Sequence, residues 1–133
     1  MDTHRAITLT LTDGVVEATN RRGATLLIHP DGTHGFTPVE LFLAAIGSCG
    51  AIDVDLLMRK QRDPVGRMTL TVEGHKVGSR MIDLRVTYDL EGEHDPRKVD
   101  RAVTKTAEDL CTVSRTLATA SPVTHAIGET AGG

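Results

Sequence analysis

The sequence predicts an α+β protein with the element order β-β-β-α-β-β-α-α-β. Three observations lead to this prediction: an opening segment that alternates polar and apolar residues, a long apolar segment behind a helix start signal, and two further alternating segments followed by helices. The chain has 133 residues, which suits one hydrophobic core. We therefore assign residues 1–133 to a single domain, with 128–133 as a frayed tail.

A meander of three strands is expected at the start of the chain. Residues 7–12, "ITLTLT", alternate with period two, and the Asp-Gly pair at 13–14 is a strong hairpin signal. Residues 15–19 continue as a second strand. The turn signal "NRRG" separates it from a third strand over 24–28. A loop rich in glycine and histidine then leads to the first helix.

The first helix is predicted from residue 38 to about residue 61. Thr37 is a good N-cap, Pro38 suits the first helical position, and Glu40 completes a capping box with Thr37. The first two-thirds of this helix are apolar on nearly every face, which predicts a long central helix buried on all sides. A single chain of this length has too little material to surround such a helix, so a second subunit is expected to help.

The same apolar helix is not expected to cross a membrane. Ser48, Asp53 and Asp55 interrupt the apolar stretch over 41–58. No secretory signal pattern is visible at the N-terminus, where polar and apolar residues alternate. These features predict a cytoplasmic protein with no membrane partner.

The second half of the chain predicts one hairpin, two helices and a last strand. An Asp-Pro pair starts the first of these helices, and a proline ends the second. The predicted elements are strands over 68–77 and 81–90, a helix from residue 95 or 96, a short helix over 111–121 and a strand over 123–127.

Composition and motifs exclude several classes of function. The net charge is −3 and aromatic residues make up 2% of the chain, which argues against a nucleic-acid surface. No nucleotide or organic cofactor motif is present. The six histidines form no zinc motif. A Cys/His cluster with His29 and His34, which precede the first helix, is an alternative, but the prediction is no cofactor and no metal.

The two cysteines are Cys49, in the middle of the apolar helix, and Cys111, at the start of the last helix. They are either small buried hydrophobes or reactive thiols. Gly47 and Gly50 leave space beside Cys49 for a substrate or for a crossing helix. A helix start favours the thiolate of Cys111, and Ser114 can hydrogen-bond near it.

Asp53 lies one helical turn after Cys49 and shares its face. A carboxylate at this position raises the pKa of a neighbouring thiol unless an arginine neutralises it. The alternative is that Asp53 bonds a backbone group or a partner residue at a subunit interface.

These motifs resemble the OsmC/Ohr superfamily, and most closely its OsmC-like (YhfA-like) branch. The resemblance rests on "TPVELFLAAIGSCGAIDV" at 37–54, on the hairpin that follows, and on "CTVSRTL" at 111–117. It covers nearly the whole chain. It implies an intertwined homodimer whose long central helices pack across the interface, with the active sites at the subunit boundary.

The resemblance also implies thiol-dependent reduction of organic hydroperoxides in defence against oxidative stress. Cys49 would be the peroxidatic nucleophile and Cys111 the resolving thiol. The expected partners are a small hydrophobic hydroperoxide as substrate and an external thiol or dithiol as reductant.

This chain departs from the pattern of the superfamily at the activating carboxylate. Peroxidases of the superfamily have a glutamate ten residues before the first cysteine, paired with an arginine, whereas Val39 occupies this position here. Glu40 is nine residues before Cys49, a rotation of roughly 900° that places it on the opposite side of the helix. The candidates for the arginine that supports the thiolate are Arg21, Arg22 and Arg115.

A function of another class is the alternative. The chain would then be a non-enzymatic binding module or thiol sensor, with a small hydrophobic or thiol-reactive ligand in the cleft of the dimer.

Overall fold

The computed structural model describes residues 4–119 and 122–128, and the fold is of the predicted α+β class. Two compact units divide the chain: residues 1–48 with 70–88, and residues 49–69 with 89–133. Assignment of the whole chain to one domain stays a prediction. The elements are β1 (Thr8–Thr12), β2 (Val15–Thr19), β3 (Thr25–Ile28), α1 (Pro38–Lys60), β4 (Met68–Val77), β5 (Arg80–Leu90), α2 (Pro96–Lys105), a π turn (Thr106–Leu110) and α3 (Thr112–Ala118).

The first sheet is the predicted antiparallel meander, in the order β1-β2-β3. Thr12 pairs with Val15 across the two-residue turn. Asp13 and Gly14 both have positive φ, 52° and 81°, as a type I′ turn requires. The hairpin signal in the sequence therefore sets the register of the sheet.

The apolar side chains of this sheet are mostly exposed. Every residue of β1 is exposed, and Leu11 is 69% exposed. Within the three strands, only Ala18 is buried. Alternation thus formed the strands, but the described residues provide little cover for their apolar face.

The capping box at the start of α1 is confirmed. The backbone N–H of Thr37 donates to Glu40 Oε1 at 2.9 Å, and the N–H of Glu40 donates to Thr37 Oγ1 at 3.2 Å. Two N–H groups at the helix start are satisfied by this exchange. Glu40 therefore has a structural role at the helix terminus.

A single chain buries only one face of α1. Its buried residues form one stripe along the helix, spaced mostly by four positions, while Ile52 on another face is 62% exposed. Burial of the remaining faces, which was expected only with the help of a second subunit, stays a prediction. The buried residues of α1 are Ile46, Gly47, Gly50, Val54 and Met58.

By length and composition alone, α1 could cross a membrane, and 28% of its most apolar 18-residue window is buried. A core helix of a soluble protein has the same length and composition. The aspartates of the segment, Asp53 and Asp55, lie in this helix and are half-buried.

Gly47, two residues before Cys49, packs closely against strand β4. A Cβ atom at this position would lie 2.7 Å from Val72 Cγ2, which comes from β4. Real Cβ atoms do not approach another carbon so closely. The missing side chain at Gly47 is thus explained by packing of a strand and not by room for a substrate.

The predicted second hairpin and the helix after it are also confirmed. β4 and β5 form a two-stranded sheet. Asp95 is the N-cap of α2, and its side chain accepts the N–H of Arg97 at 2.9 Å. The sequence predicted a regular helix to residue 110, but the structure has a π turn from residue 106, with the N–H of Cys111 bonded to the carbonyl of Thr106 at 2.9 Å.

The last predicted strand, over 123–127, is not formed. Residues 122–128 have no regular secondary structure, and Val123 is 79% exposed. A strand is stabilised by hydrogen bonds to a neighbour, and no strand in the described ranges pairs with this segment. The end of the predicted α3 at 120–121 and most of the predicted tail lie outside the described residues.

A histidine-aspartate pair joins the end of α1 to the start of α2. Asp63 follows α1, and its Oδ1 lies 2.7 Å from Nδ1 of His94. His94 Nε2 lies 3.0 Å from the carbonyl oxygen of Glu91, and the N–H of Asp95 donates to Asp63 Oδ2 at 3.1 Å. The hydrogen bond that Asp63 accepts from His94 raises the pKa of His94, and the same bond lowers the pKa of Asp63.

We expect this pair to make stability depend on pH. The pKa of His94 is raised above its ordinary value of 6.5, so its stabilisation is complete below 6.5 and is lost as pH rises through the folded pKa. The pKa of Asp63 is lowered below 3.8, so its contribution is present above 3.8 and is lost as pH falls through the folded pKa. The urea midpoint should therefore fall as pH rises from below 6.5 through the raised folded pKa of His94.

Asp63→Asn is the control, because the amide keeps an acceptor for Asp95 but removes the charge. Its urea midpoint should change less with pH than that of the wild type. Equal slopes in the two proteins would contradict this account.

Candidate active site

Two thiols and one carboxylate lie close together in the unit formed by residues 49–69 and 89–133. The sulfur atoms of Cys49 and Cys111 and a carboxylate oxygen of Asp53 all lie within 4.8 Å of one another. Both cysteines are free thiols; Cys49 is half-buried and Cys111 is 1% exposed. The residues are 62 positions apart in sequence at most, so the fold makes this cluster.

Two helices and a π turn position these groups. Cys49 and Asp53 are one turn apart on α1, so they project from the same face. Cys111 comes directly after the π turn and is the N-cap residue of α3. The prediction that Cys111 lies at a helix start is therefore confirmed.

The surroundings of Cys111 favour its thiolate. Burial raises the pKa of this thiol, but donors from the Ser114 hydroxyl and from the backbone N–H groups of Ser114 and Val113 outweigh burial and lower it. The side chain of Cys111 makes no cap hydrogen bond at the start of α3. The predicted role of Ser114 beside the helix start agrees with this geometry.

Cys49 is shifted in the opposite direction. Burial raises its pKa, an N–H from Val113 partly offsets this, and interactions with Cys111 and Asp53 raise the pKa further. Of the two thiols, Cys111 is therefore the one whose ionisation the surroundings favour. The predicted effect of Asp53 on the neighbouring thiol is in the expected direction.

Asp53 has no basic partner within residues 4–119 and 122–128. The ion pairs found there join other residues, such as Asp55 with Arg59 on the next turn of α1. No hydrogen bond to Asp53 is found there either, so the alternative of a backbone partner has no support within one chain.

The arginines proposed as thiolate supports have different positions. Arg21 and Arg22 lie in the turn between β2 and β3, where the Asn20 side chain accepts the N–H of Arg22 at 3.1 Å, and both are exposed. Arg115 lies in α3 in the unit that holds the cysteines, and its side chain is exposed. A supporting role for any of them stays a prediction.

The cluster has the chemistry of a dithiol. Two thiols this close to each other can be oxidised to a disulfide, whose S–S bond is about 2.05 Å long. The same two sulfurs and the carboxylate are also ligands for thiophilic cations. No histidine belongs to the cluster, so the Cys/His alternative with His29 and His34 is not what the described residues form.

Comparison with known families decides the identity of the fold. A family model described as OsmC-like protein matches residues 30–126, which include both cysteines. This chain belongs to the OsmC-like family. The resemblance seen in the two cysteine motifs is therefore confirmed over most of the chain.

Solved structures agree with the OsmC-like fold. The OsmC-like protein from Mycoplasma pneumoniae is 14% identical, with a TM-score of 0.78 over 89% of each chain. A hypothetical protein from Aquifex aeolicus is 23% identical, with a TM-score of 0.76 over 89% of each chain. The organic hydroperoxide resistance protein OhrB of Bacillus subtilis is 17% identical, with a TM-score of 0.59 over 85% of this chain and 89% of that one.

At these identities the likeness shows the fold of this OsmC-like protein and not its activity. No curated protein matches the chain by sequence. The chemistry must therefore be argued from the cysteine cluster itself.

Sequence reasoning missed one feature of the site, the π turn before Cys111. Its sequence, "TAEDL", continues the apolar stripe of the preceding helix and contains no glycine or proline. Thr106, where the turn starts, is 1% exposed, and its hydroxyl finds no partner among the described residues. No local signal distinguishes this segment from regular α-helix.

Proposed function

We propose that this OsmC-like protein reduces organic hydroperoxides with its two thiols. The observation that carries the proposal is the meeting of Cys49 and Cys111 in one cluster, with their sulfur atoms within 4.8 Å of each other. Similarity in fold to a protein named for organic hydroperoxide resistance adds support for this substrate class.

The reaction proceeds in three balanced steps. The sulfur of Cys49 bonds to the terminal oxygen of the hydroperoxide while the O–O bond breaks, and the proton of Cys49 passes through the Cys111 thiolate to the departing alkoxide. The products are a sulfenic acid on Cys49 and an alcohol. The Cys111 thiolate then attacks the sulfenic sulfur, a disulfide forms, and the hydroxide that leaves takes a proton from solvent to become water. An external dithiol restores both thiols and becomes a disulfide itself.

The roles of the two cysteines follow from access and acidity. Cys49 is more exposed than Cys111, so a hydroperoxide reaches it first. Cys111 is the more acidic of the two thiols, so its thiolate can take the proton of Cys49 as the attack begins and pass it to the departing alkoxide. In this proposal Cys111 acts first as a base and later as the resolving thiol.

We also propose that the protein is a homodimer. Large apolar side chains stand exposed on the first sheet and along α1, as in Leu11 and Ile52, and contiguous apolar surface marks interfaces between subunits. In light scattering we expect twice the mass of one chain. Ile52→Glu should weaken the dimer, whereas Thr104→Glu on exposed α2 should not; a monomeric wild type would contradict the proposal.

A reducing compartment fits this cycle. Thiols that must be regenerated after each turnover persist where cellular dithiols are abundant. We therefore place the protein in the cytoplasm.

A thiol sensor is the second candidate, and one observation favours it. Val39 replaces the activating glutamate, and Glu40 is engaged in the capping box of α1. Such a site can oxidise once and report the oxidant without fast turnover. A sensor would form one disulfide per chain and would not consume further hydroperoxide, whereas a peroxidase would consume it over many turnovers.

The test adds excess cumene hydroperoxide to the reduced protein, with and without a dithiol, and follows hydroperoxide loss. Mass spectrometry of the quenched protein checks for a disulfide between Cys49 and Cys111. We expect multiple turnovers with the dithiol and one turnover without it. One equivalent consumed under both conditions supports the sensor, and no loss above buffer contradicts both candidates.

A further inference from the structure

We propose that Cys49, Asp53 and Cys111 form a binding site for a thiophilic divalent cation of the zinc class. The three side chains present two sulfurs and one carboxylate oxygen within 4.8 Å of one another. Sulfur and carboxylate oxygen are both zinc ligands, and two thiolates select zinc or softer cations over magnesium and calcium.

The spacing is close to what zinc requires. Tetrahedral zinc with Zn–S bonds of about 2.3 Å and a Zn–O bond of about 2.0–2.2 Å holds its ligand atoms about 3.5–3.8 Å apart. Ligand atoms already within 4.8 Å need side-chain movements of about 1 Å to reach this arrangement. Three protein ligands leave a fourth position for water or an external thiol.

The elements that carry the ligands are suited to hold them there. Cys49 and Asp53 stand one turn apart on the 23-residue helix α1, a spacing that puts two ligands on one face. Cys111 comes from a different element and is fixed after the π turn by the hydrogen bond from its N–H to the carbonyl of Thr106.

The negative charge of the cluster favours binding of a cation. The carboxylate of Asp53 lies beside two thiols and has no ion pair with a basic side chain in the described ranges. With both thiols ionised, three negative charges would crowd together, and a divalent cation reduces their sum to one. Binding forms two Zn–S bonds and one Zn–O bond, releases two thiol protons to solvent and moves no electrons.

The consequence for the site rests on the proposed function. A cation on both sulfurs occupies the lone pairs that would attack a hydroperoxide, so zinc and oxidant should compete for the same thiols. The disulfide has no thiolate to offer, so the oxidised protein should release the metal.

The test equilibrates the reduced wild type with Zn²⁺ against a chromophoric chelator and with Co²⁺ for spectroscopy. We expect one ion per chain, a sulfur-to-cobalt charge-transfer band and proton release on binding. Replacing Asp53 by asparagine should raise the dissociation constant for zinc by about 10- to 100-fold or more. This range is the effect of losing a residue that only hydrogen-bonds a metal ligand, and Asp53 would be a ligand itself. Cys49→Ser and Cys111→Ser should each remove the charge-transfer intensity of one sulfur.

The matched control is Asp55→Asn, which changes an aspartate of the same helix that pairs with Arg59. It should bind zinc as the wild type does. No zinc on the reduced wild type, or equal affinity of the Asp53 and Asp55 variants, would overturn the site.

A second measurement needs no variant. Zinc should slow alkylation of both cysteines in the wild type, and a chelator should restore the rate; unchanged alkylation would also overturn the site. Neither measurement uses a hydroperoxide, so this inference and the peroxidase proposal can fail separately.

Discussion

Replacing Cys49 by serine is expected to reduce hydroperoxide consumption to the rate measured without protein. A serine hydroxyl stays protonated at neutral pH and does not form the sulfenic acid on which the cycle depends. Loss of oxidant, followed with cumene hydroperoxide and a dithiol, measures the effect. The variant should fold as the wild type does, because Cys49 is only half-buried and serine is nearly the same size.

Replacing Cys111 by serine should have a different outcome. Cys49 can still be oxidised once, but no second thiol resolves the sulfenic acid. Excess hydroperoxide should then carry Cys49 to the sulfinic acid, seen by mass spectrometry as a gain of two oxygen atoms. The attack should also slow, because the thiolate that accepts the Cys49 proton is gone.

The opposite pattern would reverse the two roles. If Cys49→Ser still consumes one equivalent while Cys111→Ser is inactive, Cys111 is the nucleophile. The structure makes this a sharp test, since it gives access to one sulfur and acidity to the other. Equal activity of both variants and the wild type would contradict any thiol mechanism.

Met58→Ala should cause the largest loss of stability, about 2–5 kcal/mol. Met58 is 0% exposed and lies in the buried stripe of α1. Truncation removes transfer free energy and leaves a cavity that the neighbouring side chains fill only partly. Its sulfur also lies 3.7 Å from Nε2 of Gln61, so the variant changes the surroundings of this amide too.

Gln61 extends the effect to α2. Its Nε2 donates to the carbonyl of Lys98 at 3.0 Å, and Arg101 Nη1 donates to its Oε1 at 3.2 Å. Urea unfolding at one fixed protein concentration measures the loss, because stability of an oligomer depends on concentration. Met58→Leu is the control and should cost less than about 1.5 kcal/mol; an equally large loss in both variants would contradict the cavity argument.

The parts of the fold with local signals could be predicted from the sequence. The Asp-Gly turn at 13–14, the capping box of Thr37 and Glu40, and the Asp95 N-cap each satisfy or direct nearby backbone groups. Such contacts form between residues at most four positions apart, so a single stretch of sequence contains them. The strands and helices that they bound were found with small differences at their ends.

The features that depend on distant residues were harder to predict. Residues 123–127 alternate like a strand, but a strand also needs a neighbour to pair with. The apolar surface of α1 predicts a cover that includes a second subunit, but it does not indicate which stripe the chain itself covers. Both features depend on contacts that local composition does not determine.

The candidate site lies between these cases. Cys49 and Asp53 share a helix face, so their proximity was predictable from a spacing of four residues. Their meeting with Cys111 was expected only from the resemblance to a family. The electrostatic difference between the two thiols depends on N–H and hydroxyl donors around Cys111, and their positions follow from the tertiary structure.

The π turn at Thr106–Leu110 makes the site sensitive to insertions and deletions as well as to substitutions. A π turn holds one more residue than an α-helix of equal length. Removing one residue here would let the helix continue regularly and would rotate every later side chain by about 100°. The number of residues between α2 and α3 thus determines the direction of the Cys111 side chain. A relative that has both cysteines but a shorter segment here would not bring its two thiols together in this way.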